Sequence, residues 1–443
     1  MTGKTPSERL YERALRVLPG GVSRNAALRR PHPTYVAHAQ GCRVTDIEGV
    51  TRLDFANNMA SMIHGHAHPA IVSAVTEQLK KGTGFSLATE VEVEYAEHLV
   101  SRSASFEKMR FVNSGTEAVM CCIKAARAFT ERPMIAKIEG AYHGLYDYAE
   151  TSQTASPANW GDVDRPASVP VTHGTPASAL AEVVVIPFND PDRAVAILDR
   201  HKGSIACVLV DPLPHRVGLM PADEAFVSAL HRWTRANGAL LVFDEVITFR
   251  SNYGGAQEWY KVRPDLTAMG KIIGGGFPVG AFAGRADIMD VLNPLAAKVL
   301  FPHSGTFTAN PVTMTAGLTA MRLFDRAEVA RVNSLADEAR RRIASIIAEC
   351  DVPACVTGGG SLFRLHFRAT PPVDYRSGYA SPAENAAREA LLEHLFRNGV
   401  LLIGSATGAV STPMSMKEID ELCDALRAGL LAVRPKLLAG ATA

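Results

Sequence analysis

The chain has 443 residues, of which 47% are hydrophobic and 21% charged, a length that exceeds one compact core and points to two domains. Forty-six Lys and Arg against 45 Asp and Glu leave a formal charge of +1. That balance gives no electrostatic reason to expect nucleic acid, an acidic membrane surface or a polyanionic partner.

Residues 5–18 (TPSERLYERALRVL) have the spacing of an amphipathic helix, stopped by Pro19-Gly20-Gly21. From about 35 to 56 apolar and polar residues alternate around a turn at Asp46–Gly49, as in a small hairpin. HAHPAIVSAVTEQLKKG predicts a helix closed by Gly82. Strand-like and helix-like segments then alternate. MIAKI (134–138), VVVIPF (183–188), IACVLVDP (205–212) and ALLVFDEV (239–246) are short, β-branched and apolar on both faces. Strands of a mostly parallel sheet between two helical layers have that composition. AFVSALHRWTRANG predicts an intervening helix that ends at Gly238.

Segment 151–180 has no period and is rich in Thr, Ser, Ala, Pro and Gly, which predicts a long surface loop or lid. After Asn310-Pro311 come a helix (VTMTAGLTAMRLF), an Arg- and Ala-rich helix over 331–350, a strand pair near 356–368 and a last helix over 415–431. The expected architecture is α/β: a large domain over 61–310, with a smaller α+β domain assembled from 1–60 and 311–443.

No apolar run reaches the roughly 18–20 residues of a membrane span. The stretch MTGKTPSERLYERAL has charges without an apolar core, unlike a secretory signal. The seven cysteines are odd in number and scattered, with Cys121 and Cys122 adjacent. A reduced, cytoplasmic setting is expected.

Four places carry chemistry. Ser114-Gly115-Thr116 lies between a short strand and the helix AVMCCIKAARAF. Free N–H groups and the positive dipole end at such a point suit a phosphate; a plain helix cap is the alternative. Asp244 ends an apolar strand, where a carboxylate is costly unless a cation meets it. It could face a protonated ring nitrogen, cap a turn, or hold magnesium in a nucleotide site. The last needs a phosphate loop with Ser or Thr after Gly-Lys, and Gly270-Lys271 is followed by Ile272.

Lys271 precedes Gly274-Gly275-Gly276. Burial would keep it partly neutral and so nucleophilic, whereas a loop lysine would stay charged. Tyr142 and Val246 could sandwich a flat ring or merely pack, and His143 could orient that ring or be a polar loop residue. His64, His66 and His68 alternate, but no further ligand completes a metal set, so no metal is expected. A turn into the helix at Pro69, with His64 lining a substrate cavity, fits better.

Together the motifs resemble the class III aminotransferases, fold-type I enzymes that use pyridoxal 5'-phosphate. They are most similar to the glutamate-1-semialdehyde aminomutase branch and its β-amino-acid aminotransferase relatives. LPGGVSR (18–24), GHAHPAI (65–71), RFVNSGTEA (110–118), EGAYHG (139–144), LLVFDEV (240–246), GKIIGGGFPVGAFAGR (270–285) and HSGTFTANP (303–311) carry the likeness over nearly the whole chain.

The resemblance implies a homodimer with active sites at its interface. It implies Lys271 as the Schiff-base lysine, Asp244 as the partner of the pyridine nitrogen, and Tyr142 as the stacking aromatic. Gly115 and Thr116 match the phosphate turn, and Thr306 matches a threonine that reaches the partner subunit's phosphate. Ala27 stands where the aminomutases carry a carboxylate-binding arginine, while Arg24 stands earlier, as in the β-amino-acid enzymes. Met59 replaces a tryptophan beside the substrate, and LLIGSATGAV has no charge where an acid is usual. Asp211-Pro212 stands in place of the usual Glu-Pro, and Arg216 falls by register near the cofactor's phenolic oxygen, where it would bond that oxygen or a substrate carboxylate, or else face solvent as a loop arginine. These departures favour amino transfer, with a β-amino or other non-α amine as donor, over the mutase reaction.

Overall fold

The computed structural model describes residues 4–441. Its centre is a seven-stranded sheet. The strands run in the order Lys108–Val112, Gly280–Gly284, Leu266–Gly270, Leu240–Asp244, Ile205–Val210, Met134–Ile138 and Val183–Ile186. Gly280–Gly284 pairs antiparallel with both of its neighbours, and every other pairing is parallel. Six strands therefore point the same way.

Alternation along each strand builds two cores. Leu240 and Val242 face one side with Val183, Cys207 and Leu209, under the helix Gly115–Thr130. Leu241 and Phe243 face the other side with Val208, Val210 and the helices Pro191–Asp199 and Glu224–Asn237. Both faces are covered, which is why these strands have no polar face. The helix Glu224–Asn237 stops at Gly238 in a left-handed conformation, φ 62°.

The expected hairpin near the N-terminus is larger. Val36–Gln40, Arg43–Asp46 and Thr51–Asp54 form a meander, and Val400–Leu401 adds a fourth strand parallel to Thr51–Asp54. A second small sheet orders Cys355–Gly359, Leu362–His366 and Thr407–Ala409. The helices Arg326–Glu349, Pro382–Arg397 and Met416–Ala441 accompany it. The last of these runs ten residues beyond its expected end.

The 151–180 segment departs from a surface loop at its start, where Thr151, Ser152, Gln153 and Ala155 are buried. Lys137, buried inside the large sheet, donates to the backbone oxygens of Ala141 (3.1 Å) and Thr151 (2.7 Å), tying the segment to the loop after its own strand. Burial pulls its ammonium pKa down to about 7.

Among the described residues, no helix is long and apolar enough to cross a membrane.

Candidate active site

The six co-directed strands end along one edge, and the loops that leave that edge carry most of the expected groups. Val112 leads to Ser114, Ile138 to Tyr142 and His143, Val210 to Asp211, and Gly270 to Lys271, while Asp244 is itself a strand end. Ligands of open α/β sheets gather at the carboxyl ends of strands. Here a cavity of about 580 Å³ opens there, lined by Arg24, Asn58, Ser114, Gly115, Thr116, Tyr142, His143, Asp211, Asp244, Val246 and Lys271, among others.

At one end of the cavity, Ser114 caps the helix Gly115–Thr130 through its side chain, which accepts from Glu117 N at 3.1 Å. The cap does not use up the helix terminus. Ser114 satisfies the third turn residue, and the Gly115 and Thr116 N–H groups still have no acceptor among the described residues. The turn is held tightly. A Cβ on Gly115 would lie 2.6 Å from Val246 Cγ1, and one on Gly144 would lie 2.6 Å from Thr116 Oγ1.

At the other end, Asp244 is buried. His143 Nδ1 lies 2.7 Å from Asp244 Oδ2, and Val246 N donates to Oδ1 at 3.0 Å. Burial lowers the His143 pKa, with the Asp244 hydrogen bond opposing it. A neutral imidazole that donates from Nδ1 fixes the carboxylate and leaves it a lone pair toward the cavity. His143 thus orients Asp244. Tyr142 lines the wall beside it, with its ring edge-on to His215 at 6.0 Å.

Lys271 follows its strand with φ 49°, an uncommon backbone for a side-chain-bearing residue. Burial lowers its pKa, against the attraction of Asp244 and Asp211. Asp211 was not anticipated as part of the wall. Its burial, and then the nearby Asp244, raise its carboxyl well above the ordinary range.

Three expected residues fall outside the lining of this cavity. Met59 is 40% exposed. Arg216 lies with its guanidinium 5.5 Å from the Tyr142 ring and donates to Gln153 O at 3.3 Å. Thr306 is exposed in an exposed turn. His64 also departs from its expected place. It is a core residue, with Nδ1 3.0 Å from Thr412 Oγ1 and Nε2 2.8 Å from Ala320 O. His66 meets Asp54 at 2.8 Å, so His64 and His66 bond to separate protein groups.

A free helix terminus, a buried imidazole-backed carboxylate and a poorly solvated lysine around one cavity define a site for a phosphorylated, ring-protonated cofactor. They fit the pyridoxal phosphate that the sequence resemblance implies. The chain belongs to the class-III aminotransferase family, whose model matches residues 25–430. It is 37% identical to a glutamate-1-semialdehyde 2,1-aminomutase of Methanothermobacter thermautotrophicus, over 89% of this chain and 91% of that one. Its structure is similar to an omega-transaminase from Sphaerobacter thermophilus (TM-score 0.95, 47% identity, 98% of this chain and 99% of that one). It is also similar to a beta-phenylalanine aminotransferase from Variovorax paradoxus (TM-score 0.86, 31% identity, 96% and 93%).

Proposed function

We propose that this chain is a pyridoxal-phosphate-dependent aminotransferase that moves an amino group from a β-amino or other non-α amine donor to a keto acid in a ping-pong cycle. The observation that carries the proposal is the convergence of Lys271, Asp244 and Arg24 on one cavity. Gly115 and Thr116 would hold the cofactor's phosphate, Tyr142 and Val246 its ring faces, Asp244 its ring nitrogen and Lys271 its aldehyde carbon. Bound there, the cofactor supplies an electron sink for the bond broken at the amine-bearing carbon.

The protein's own work is proton handling and orientation. Lys271, its ammonium pKa lowered by burial, would take the proton from that carbon and deliver it to the carbon that carried the aldehyde. Asp244, held by His143, keeps a positive charge favourable at the ring end of the cavity. Arg24 takes the donor's carboxylate.

The same reading makes the active unit a homodimer. Thr306, exposed here, would reach the phosphate of the partner subunit. Phe85, Leu87, Leu145, Phe277 and Phe307 are exposed apolar side chains of the kind a partner subunit would cover, and Phe277 also lines the cavity. The division into 1–60, 61–310 and 311–443 is likewise proposed. It is supported by the strand Val400–Leu401, which pairs with Thr51–Asp54. Seven free cysteines, six of them buried, support a cytoplasmic location.

Likeness to the aminomutase favours a second reading, isomerisation of glutamate 1-semialdehyde. One experiment separates the two. Purified enzyme is mixed with 3-amino-3-phenylpropanoate and either pyruvate or 2-oxoglutarate, and with the semialdehyde alone. Net transfer supports the first reading. Isomerisation without transfer from any of a panel of donors overturns it.

A further inference from the structure

Asn57, Asn58, Met59 and Ala60 are four consecutive residues with positive φ: 46°, 46°, 59° and 63°. A left-handed turn crowds every Cβ in it against the backbone, so four such residues in a row need support from around them. Asparagine tolerates this region best, and it fills the first two places.

The support is visible. Asn57 Nδ2 donates to Ala409 O at 2.6 Å, and Asn57 N donates to Asp54 Oδ1 at 2.9 Å. Ser61 Oγ donates to Asn58 O at 2.8 Å. Arg250 is fully buried and donates from Nη1 to Ala60 O at 2.9 Å, from Nε to Ser361 Oγ at 2.7 Å, and from Nη2 to Val410 O. One buried cation thus joins the turn to two segments of the C-terminal part.

The turn places Asn58 in the cavity wall with Lys271 and Arg24. There Asn58 Oδ1 accepts from Arg24 Nη1 at 2.8 Å. Arg24 itself lies on an exposed, extended link before the short turn Asn25–Ala27. Among the described residues, Asn58 is the one hydrogen-bond partner of its side chain. A guanidinium has five N–H donors in a rigid plane. A single bond at Nη1 anchors one corner of that plane in the cavity wall and leaves the remaining donors for a two-point grip on a carboxylate.

We propose that Asn58 is the residue that positions Arg24, and that the left-handed turn Asn57–Ala60 exists to present it. Asn58 thereby sets the preference for a carboxylate-bearing donor over a plain amine. The proposal rests on the reading of Arg24 as the carboxylate's partner, and its test separates the two. Asn58→Gly removes the acceptor and keeps a residue at ease with positive φ. Ala60→Gly loosens the same turn without touching the acceptor. Arg24→Met removes the proposed carboxylate partner.

The holoenzymes are assayed with pyruvate as acceptor and two donors that differ only by the carboxylate, 3-amino-3-phenylpropanoate and 1-phenylethylamine. The readout is the ratio of kcat/KM for the acid to that for the amine. Asn58→Gly should lower this ratio about 5- to 20-fold, through the KM of the acid with little change in its kcat, as expected for a lost oriented hydrogen bond to a charged group. Ala60→Gly should hold the ratio within about twofold.

If Arg24→Met collapses the ratio and Asn58→Gly does not, the proposal is overturned and the reading of Arg24 survives. If neither variant changes it, both fall. A loss in Ala60→Gly equal to that in Asn58→Gly assigns the effect to the turn's rigidity and also overturns the proposal.

Discussion

Replacing Asp244 with Asn tests the charge at the ring end of the cavity without disturbing the fold around it. Asp244 is 5% exposed, and its two oxygens meet Val246 N and His143 Nδ1. An asparagine can keep both contacts. Its Oδ1 still accepts from Val246 N, and its Nδ2 can donate to His143 Nδ1 if the imidazole moves its proton to Nε2. That nitrogen is buried and has no partner in the present arrangement. The substitution therefore removes a negative charge and leaves the Nε2–H of His143 unpaired, a cost that the Tm reads separately from the rate.

Breaking a buried ion pair by neutralising one partner costs about 3–5 kcal/mol. At about 1.4 kcal/mol per decade, Asp244→Asn should lose about 10²- to 10³-fold or more in kcat/KM for the donor half-reaction. The assay is rapid-mixing absorbance of the holoenzyme with a single donor, alongside cofactor content and Tm. Full cofactor occupancy and a rate within about tenfold of the parent would refute the pairing of Asp244 with a protonated ring.

Three further outcomes are expected. Lys271→Ala should retain noncovalently bound cofactor and lose turnover; sustained multiple turnover by cofactor-loaded protein would remove Lys271 from its role. Gly115→Ala drives a Cβ to 2.6 Å from Val246 Cγ1, and overpacking of that kind costs about 1–3 kcal/mol. Equilibrium dialysis should therefore show cofactor affinity weakened about 5- to 150-fold, and an unchanged affinity would argue against the phosphate turn. His64 is buried, and desolvation lowers its pKa from 6.5 to about 4. Between those values the unfolded chain takes a proton that the fold refuses, so its stabilisation is full above 6.5 and is lost as pH falls toward 4. From pH 6.5 to 5 that amounts to about 2 kcal/mol. Tm against pH should fall less steeply in His64→Gln; an identical slope would show that His64 does not titrate this way.

How much of this was legible in the sequence follows from how local each signal is. The central strands announce themselves because each carries its own apolar run, and the residues at their ends inherit a common edge from the parallel pairing. That placed Asp244, Lys271, Tyr142 and the Ser114–Thr116 turn around one cavity. The helix Pro382–Arg397 was not anticipated, since its buried residues are only Ala387, Leu391 and Leu395 among many charges. The signal was present in Ser381 and Glu384, which form a capping box.

Pairings across long sequence separations left no trace to read. Val400–Leu401 joins Thr51–Asp54, and the Asp244–His143 contact spans 101 positions. Register arithmetic says nothing of where Arg216 aims, because a side chain's direction depends on what it packs against. Its guanidinium meets Gln153 O and the ring of Tyr142, a cavity-wall residue, while Arg216 itself is not among the lining. Arg24 is the opposite case. Its number was legible, but its aim depends on one bond to Asn58, and that bond depends on a left-handed turn held by Arg250 from 190 positions away. The proposed cofactor contacts come from strand ends that the sheet fixes locally. The proposed substrate contact comes from an exposed segment fixed only by tertiary bonds, so relatives that share the cofactor site can differ in substrate through residues as few as these.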